Sequence, residues 1–400
     1  MPIDSLQSLA CAGNGTDEKR GNYCQQGEHD QQLHEREARL RSLLPVLHDV
    51  VSVWPRAELE CLEAHKRVSG LVQRLEHDAN RSSLEARNGT RTTYAYDPLN
   101  RRLANVQATL AVGYRFHDLA FAYDVVGNLT SLENRALPPG TFSGPGLGNA
   151  IGGPWLKTHV YDDLYRLASS TGRHETTPND ADTYTFAQTY DTIHNITRKT
   201  QTNLSRPRSS RRPYDYTYVY PASGAPRPHG ATAIGTFDIT HDANGNHIRT
   251  QEQGTSNTEH YTYDEENRLA CANKGQQAPS PSCDAQGETE FTYDHAGVRK
   301  RKDASSPTLY PNQYFTDFGG GSGNQFKHVF LGETRLLSKK ARPAPDRQHW
   351  YYHPDHLGST SIVTNENGQL TEHTHYFPFG EVWLDERPAA LPVPYLFTGK

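Results

Sequence analysis

An aromatic residue followed by aspartate recurs along the chain, and no other feature restricts the fold as strongly. It stands at Tyr96-Asp97, Tyr123-Asp124, Tyr161-Asp162, Tyr190-Asp191, Tyr263-Asp264 and Tyr293-Asp294, with His241-Asp242 as a copy whose aromatic is changed. The Asp-to-Asp intervals are 27, 38, 29, 51, 22 and 30 residues. The long interval contains Tyr220-Pro221, which reads as a decayed copy without its Asp. Three residues after the Asp comes Gly, Asn or a substitute, as at Gly127, Gly245 and Gly297, then Asn or Arg, then usually an aliphatic. Internal similarity at such a period marks an array of stacked units.

The physics of one unit follows from its residues. Each Asp is preceded by a short alternating run such as Tyr261-Thr262-Tyr263, and Thr and Tyr suit a pleated, half-buried strand. Asp at the strand end accepts backbone N–H groups two residues on, and the Gly or Asn supplies the positive φ that the returning chain needs. The unit is therefore strand, tight turn, strand. One hairpin is marginal alone, so units must pair side by side. Composition agrees with a thin wall: only 34% of 400 residues are hydrophobic, while 22 are Tyr, which packs with one wet end. The net charge of −5 excludes a strongly basic nucleic-acid binder. No apolar run approaches the ~20 residues that span a bilayer, and the N-terminus has no recognisable signal peptide.

Texture divides the chain. Residues 1–32 are polar and read as disordered. Residues 33–90 read as a helical N-terminal segment and linker, because Leu40, Leu43, Leu44, Leu47, Val50, Val51 and Trp54 fall at helical spacing. Leu59, Leu62, Val68, Leu71, Val72 and Leu75 continue the pattern. Residues 92–310 form the repeat array, and 311–400 a C-terminal segment. Five cysteines without a C-x-x-C pair argue against a disulfide framework or a Cys-rich metal site, though Cys271 and Cys283 flank one loop. The repeated Asp residues share one place in a turn, which explains them without catalysis. His353 and His356 bracket Asp355, with His373 and His375 nearby. However, no H-E-x-x-H helix is present and Pro354 opposes one, so neither a metal nor a cofactor is assigned.

The repeats resemble those of the Rhs/YD-repeat family. The C-terminal segment carries His353, Asp355, His356, Leu357, Gly358 and Ser359, then Tyr376, Pro378 and Gly380, then Thr398, Gly399 and Lys400. This order looks like the Rhs-repeat-associated core, and the early units look most like the C component of insecticidal toxin complexes. The resemblance implies a mainly β fold, with stacked hairpins forming part of a curved or spiral β-shell. It implies a secreted or cell-surface bacterial protein that encloses or delivers a C-terminal toxic polypeptide, together with other toxin-complex components.

The family's self-cleaving carboxylates and toxin lie beyond the T-G-K point at which this sequence stops. The expectation is therefore of a C-terminally truncated, non-enzymatic wall segment. Two alternatives stay open: a cell-surface adhesion protein binding a glycan or a protein, and a fragment without independent function. The place of the tyrosines separates the first from the shell. They pack against neighbouring units if structural, and line an exposed groove if they bind ligand.

Overall fold

The computed structural model describes residues 74–77, 81–137, 151–177, 180–203, 213–275, 277–280, 282–319, 324–331, 334–341, 348–387 and 395–399. Their backbone forms one sheet of 26 strands, β1 (Arg74–His77) to β26 (Val382–Glu386). Each strand pairs antiparallel with the next in chain order, as in β3 (Arg91–Tyr96) with β4 (Leu103–Thr109), β15 (Thr258–Tyr263) with β16 (Leu269–Lys274), and β25 (Leu370–Tyr376) with β26. No hydrogen-bonded pairing among the described residues joins β26 back to β1, so the sheet is not closed. One 3-10 turn, Phe397–Gly399, is the only helical element among the described residues.

The helical reading of the N-terminal segment fails where it can be compared. Arg74–His77 is a strand paired with β2 (Arg81–Glu85), with Leu75 opposite Leu84. Pairing to a neighbouring strand has overridden the local helical spacing. Residues 1–73 lie outside the described residues, as do Arg206, Arg208, Arg211 and Arg212 of the basic stretch.

The middle of the sheet is a single wall. In β11 (Tyr214–Val219) the residues alternate between half-buried and exposed, and β13 (Phe237–His241) and β19 (Thr308–Asn312) do the same. The last strands differ. In β23 (His349–Pro354), β24 (Thr360–Asn365) and β25 nearly every residue is buried on both faces. The difference arises because the meander curves until its early strands lie against its late ones. Successive strands twist in one sense, and a long untethered sheet cannot stay flat.

Most of the core sits at that overlap. Ala108, Leu110, Tyr114 and Phe116 cluster with Ile151, Ile362 and Leu370. Tyr184 and Phe186, on β9 (Asp180–Tyr190), cluster with Phe377 and Trp383. Polar bonds cross the same seam. Asn88 Nδ2 donates to Thr364 Oγ1 at 2.9 Å, Lys157 Nζ donates to the Tyr376 carbonyl at 3.0 Å, and Lys199 Nζ meets Glu381 Oε1 at 3.1 Å.

Gly172, on β8 (Leu167–Thr177), lies directly opposite Tyr184 in the β8–β9 ladder. A Cβ built there would overlap the Tyr184 ring edge. That ring has no room to move, being wedged edge-on between Phe377 at 4.9 Å and Trp383 at 4.8 Å. Gly172→Ala is therefore expected to destabilise the chain by about 1–3 kcal/mol through overpacking. Urea denaturation reads this directly, and an unchanged midpoint would mean that the ring is not held.

Candidate functional site

The repeat turns share one geometry. At Asp264 the backbone N–H donates to the Arg268 carbonyl at 2.9 Å, and the Asn267 N–H donates back to the Asp264 carbonyl at 3.0 Å. Oδ1 accepts the N–H groups of Glu266 (3.0 Å) and Arg268 (2.9 Å). Asp124, Asp162, Asp191, Asp242 and Asp294 repeat the backbone pair and the Oδ1 contacts. The residue three after Asp has positive φ in all six. Gly127, Gly245 and Gly297 supply it without a Cβ penalty, whereas Tyr165, His194 and Asn267 adopt it as non-glycines at φ 61°, 72° and 59°. The Asp97 turn is one residue longer, with Arg101 at φ 63° and the Asp97 N–H reaching the Arg102 carbonyl. A register shift falls just before the Asp in most units, as between Thr262 and Tyr263, which marks a bulge that re-aims the tyrosine.

Each re-aimed tyrosine reaches the preceding unit. Tyr123 donates its hydroxyl to the Leu103 carbonyl, Tyr161 to Leu129, Tyr190 to Leu167, Tyr263 to His247 and Tyr293 to Leu269, all at 2.8–3.0 Å. Tyr220 donates to Ile196 in the same way, although its unit lacks the Asp. Some units add a guanidinium. Arg268 Nε bonds Asp264 Oδ2 at 2.7 Å, its plane covers the next unit's Tyr293 at 5.0 Å, and its Nη1 reaches the Asp294 carbonyl at 3.3 Å. Arg166 bonds Asp162 and covers Tyr190 at 4.2 Å. Tyr96 stands at the end of β3, and His241 faces His247 across its turn with ring centroids 5.9 Å apart. The tyrosines thus form a ladder between units. The turn aspartates are visible in sequence, but the carbonyl that each hydroxyl meets depends on the register between units.

The C-terminal motif builds the same turn three more times. Asp355 N–H donates to the Ser359 carbonyl, Gly358 N–H donates to the Asp355 carbonyl, and Oδ1 accepts Leu357 and Ser359 N–H at 2.9 Å each. Asn365 does likewise with Asn367 and Gln369. Phe377 holds the third, around Pro378, with Gly380 at φ 93°. Asn365 and Phe377 escape a search for aromatic-Asp pairs because neither residue type matches it. Tyr376 supplies another ladder rung, donating to the Thr360 carbonyl at 2.8 Å.

The final described segment locks these turns together. Thr360 N–H donates to the Leu396 carbonyl at 3.0 Å, Thr398 N–H donates to Ser359 Oγ at 3.2 Å, and Phe397 stacks edge-on against Tyr376 at 5.4 Å. Gly380 has no room for a Cβ because the Phe397 ring lies against it, and Gly399 packs near the Gly358 carbonyl. Leu357 is exposed, whereas the His356 ring packs edge-on against Phe121. Lys400 lies outside the described residues.

Between the layers lies a concentration of histidines that the sequence does not disclose as one place. His353 bonds Thr364 Oγ1 at 3.0 Å and its ring meets Phe116 at 4.7 Å. His117 lies 3.3 Å from Ser361 Oγ. His373 Nδ1 lies 2.7 Å from Glu386 Oε2, and its Nε2 lies 2.7 Å from His375 Nε2. His174, on β8, faces His373 at 5.5 Å between ring centroids. Burial would raise the Glu386 carboxyl, but the His373 bond, its charge and the Gly152 N–H at 2.9 Å together hold it below its ordinary value. Burial lowers the neighbouring Lys157 ammonium to about 8 against a smaller opposing effect of Asp355. The structure does not bring His353 and His356 onto one polar target. One contacts Thr364 and Phe116 and the other Phe121.

These groups fix how stability depends on pH. Burial lowers His353 to about 3, and it lowers His328, held between Ser338 Oγ and Thr316 Oγ1, to about 2. An unfolded histidine titrates near 6.5, so below that the unfolded chain binds protons that the folded chain refuses. The contribution of these two histidines is therefore full above about pH 6.5 and is lost as pH falls below it. The turn aspartates act lower. Asp264 is held below its ordinary value first by the Arg268 N–H, which outweighs burial, and then by the Arg268 side chain and the Glu266 N–H. Their contribution is present above about pH 4 and fades as pH drops through the depressed folded values. Urea midpoints measured from pH 8 to pH 3 are expected to fall in both windows. Asp264→Ala should lower the midpoint at pH 7 and flatten only the acidic window, and an unchanged midpoint would refute the turn role.

No protein-family model matches the chain. It is 29% identical over 110 residues to the toxin subunit YenC1 of Yersinia entomophaga, a stretch covering 26% of this chain and 11% of that protein. Among solved structures, the TcdB2–TccC3–Cdc42 crystal structure matches with a TM-score of 0.51 at 19% identity. The TcdB2–TccC3 crystal structure matches with 0.51 at 20%. A Photorhabdus luminescens Tc holotoxin pore carrying a TccC3 mutation matches with 0.51 at 18%. Each match covers 82% of this chain, and 16–17% of the other. The chain therefore spans well under a fifth of the relatives it resembles, and what it shares with the solved structures is the fold: a long antiparallel β wall of the kind found in toxin-complex chains.

Proposed function

We propose that the chain is a non-enzymatic wall segment of a toxin-complex shell of the Rhs/YD-repeat type, working with other toxin-complex components around a toxic polypeptide. The observation that carries this reading is the tyrosine ladder. The recurring aspartates hold the turns, and five of the recurring tyrosines hold one unit to the next, which is what a container wall requires. The same ladder weighs against a sugar-binding row, because five of the repeated hydroxyls are already donated to neighbouring carbonyls. Two sequence-distant parts of the sheet also seal against each other, and water exclusion at such a seam suits an enclosing wall. The Cys271–Cys283 disulfide favours an oxidising destination, in keeping with a secreted or cell-surface protein.

The test is protection. The chain is co-expressed with a TcdB2-type component and with a protease-sensitive polypeptide fused after Lys400. The reading expects a co-purifying complex in which the fused polypeptide resists protease until the shell is denatured. Cleavage at the rate of the free polypeptide, with no complex formed, would overturn it.

A further inference from the structure

The seam between the layers contains a group of ligands that the wall itself does not require. His174 on β8, His373 on β25 and Glu386 on β26 each offer one ligand atom, and the three atoms lie within 4.8 Å of one another. His373 and Glu386 are directly opposite in the β25–β26 ladder, while His174 comes from the other layer. Both histidines are fully buried, and the Glu386 side chain is 17% exposed. We propose that this is a zinc site that staples the early strands to the late ones.

The donor chemistry supports the choice. Two imidazoles and one carboxylate form a set that Zn²⁺ takes readily in proteins, with bonds of about 2.0–2.2 Å. Two ligand atoms on one tetrahedral ion lie about 3.4 Å apart, so on taking the metal the group closes by up to about 1.4 Å. The His373 Nδ1–Glu386 Oε2 contact of 2.7 Å holds a proton in the absence of metal, and zinc takes that proton's place and releases it to solvent. His373 Nε2–H then donates to His375 Nε2 at 2.7 Å, an outer partner that fixes the ring's orientation. The Gly152 N–H donates to the same Oε2 at 2.9 Å and helps to hold the carboxylate in place. The indole of Trp155 lies 4.3 Å from the His375 ring and Trp383 lies 6.3 Å from it, so the outer partner is sheltered by apolar surface. The site stands whether or not the shell reading does, since it depends only on the seam.

The experiment uses the full chain without a histidine tag, stripped with chelator and titrated with ZnCl₂ or CoCl₂. The expected results are about one equivalent of zinc retained through gel filtration, a rise in melting temperature, and visible cobalt absorption bands of a low-coordinate site. His174→Ala and Glu386→Gln should each weaken zinc binding by at least tenfold, while His353→Gln, outside the group, should bind as the parent does. A folded parent chain that retains no zinc and gives no cobalt bands overturns the proposal without recourse to any variant. Equal binding by His174→Ala and the parent overturns it as well, by assigning the zinc to other histidines.

Discussion

Trp383→Ala is expected to lower the stability of the chain by about 3–5 kcal/mol, the usual cost of removing a buried aromatic ring from a packed site. Trp383 is fully buried, and it closes the aromatic cluster formed by Tyr184, Phe186 and Phe377. Lys157 Nζ lies 5.8 Å from its ring, so the indole also shields a half-desolvated ammonium. Its loss would open a cavity at the meeting of β9 and β26, where neighbouring rings are held edge-on and cannot collapse inward. Equilibrium urea denaturation measures the loss, and Trp383→Phe should recover most of it. A loss below about 1 kcal/mol would mean that the two layers are not in contact there.

Breaking the Cys271–Cys283 disulfide is the second large effect. Cys271 is buried in β16, and Cys283 lies 12 residues on in the loop leading to β17 (Glu288–Tyr293). Glu288 organises the same loop, its Oε1 accepting the Ser280 N–H at 2.6 Å and its Oε2 the Ala285 N–H at 3.0 Å. Closing a loop of this length restricts the unfolded chain enough to contribute about 3 kcal/mol. Reduction, or replacement of both cysteines by alanine, should lower the urea midpoint by that amount. It should also speed amide exchange in β16 and β17 more than in β24, because the middle of the sheet is one layer thick and has no second face to compensate. Equal exchange throughout would show that the link carries no local stability.

The sequence announces this fold where the physics is local. An Asp that binds N–H groups two and four residues on, and a positive φ three residues on, are decided within five residues, so six of the seven turns and the strands around them are legible in the repeat, the Asp97 turn being one residue longer. The pairing of Cys271 with Cys283 is suggested by their place on one loop. Three features are not local. The carbonyls met by Tyr263 and Tyr293 belong to the previous hairpin, and the bulge before each Asp sets the reach. The turns at Asn365 and Phe377 use the same backbone with different residues, so a pattern built on Asp passes over them. The seam joins Asn88 to Thr364, 276 residues apart, and that proximity accumulates from the twist of many strands. His174 reaches the ladder partners His373 and Glu386 only because of the seam, and so the spacing of His353 and His356 does not disclose that group. Leu75 shows the reverse error, where helical spacing is real but pairing with β2 decides the conformation.

The seam is best tested with no mutation at all. Lys199 Nζ and Glu381 Oε1 are 3.1 Å apart across it, 182 residues distant in sequence, and a water-soluble carbodiimide joins only an amine and a carboxylate already in contact. Mass spectrometry of the digested native chain is predicted to find the Lys199 peptide joined to the Glu381 peptide, and to lose that product once the chain is unfolded in urea before treatment. If Lys199 is joined only to carboxylates nearby in sequence while Glu381 remains unlinked, the early and late strands do not meet, and the overlapping wall is contradicted.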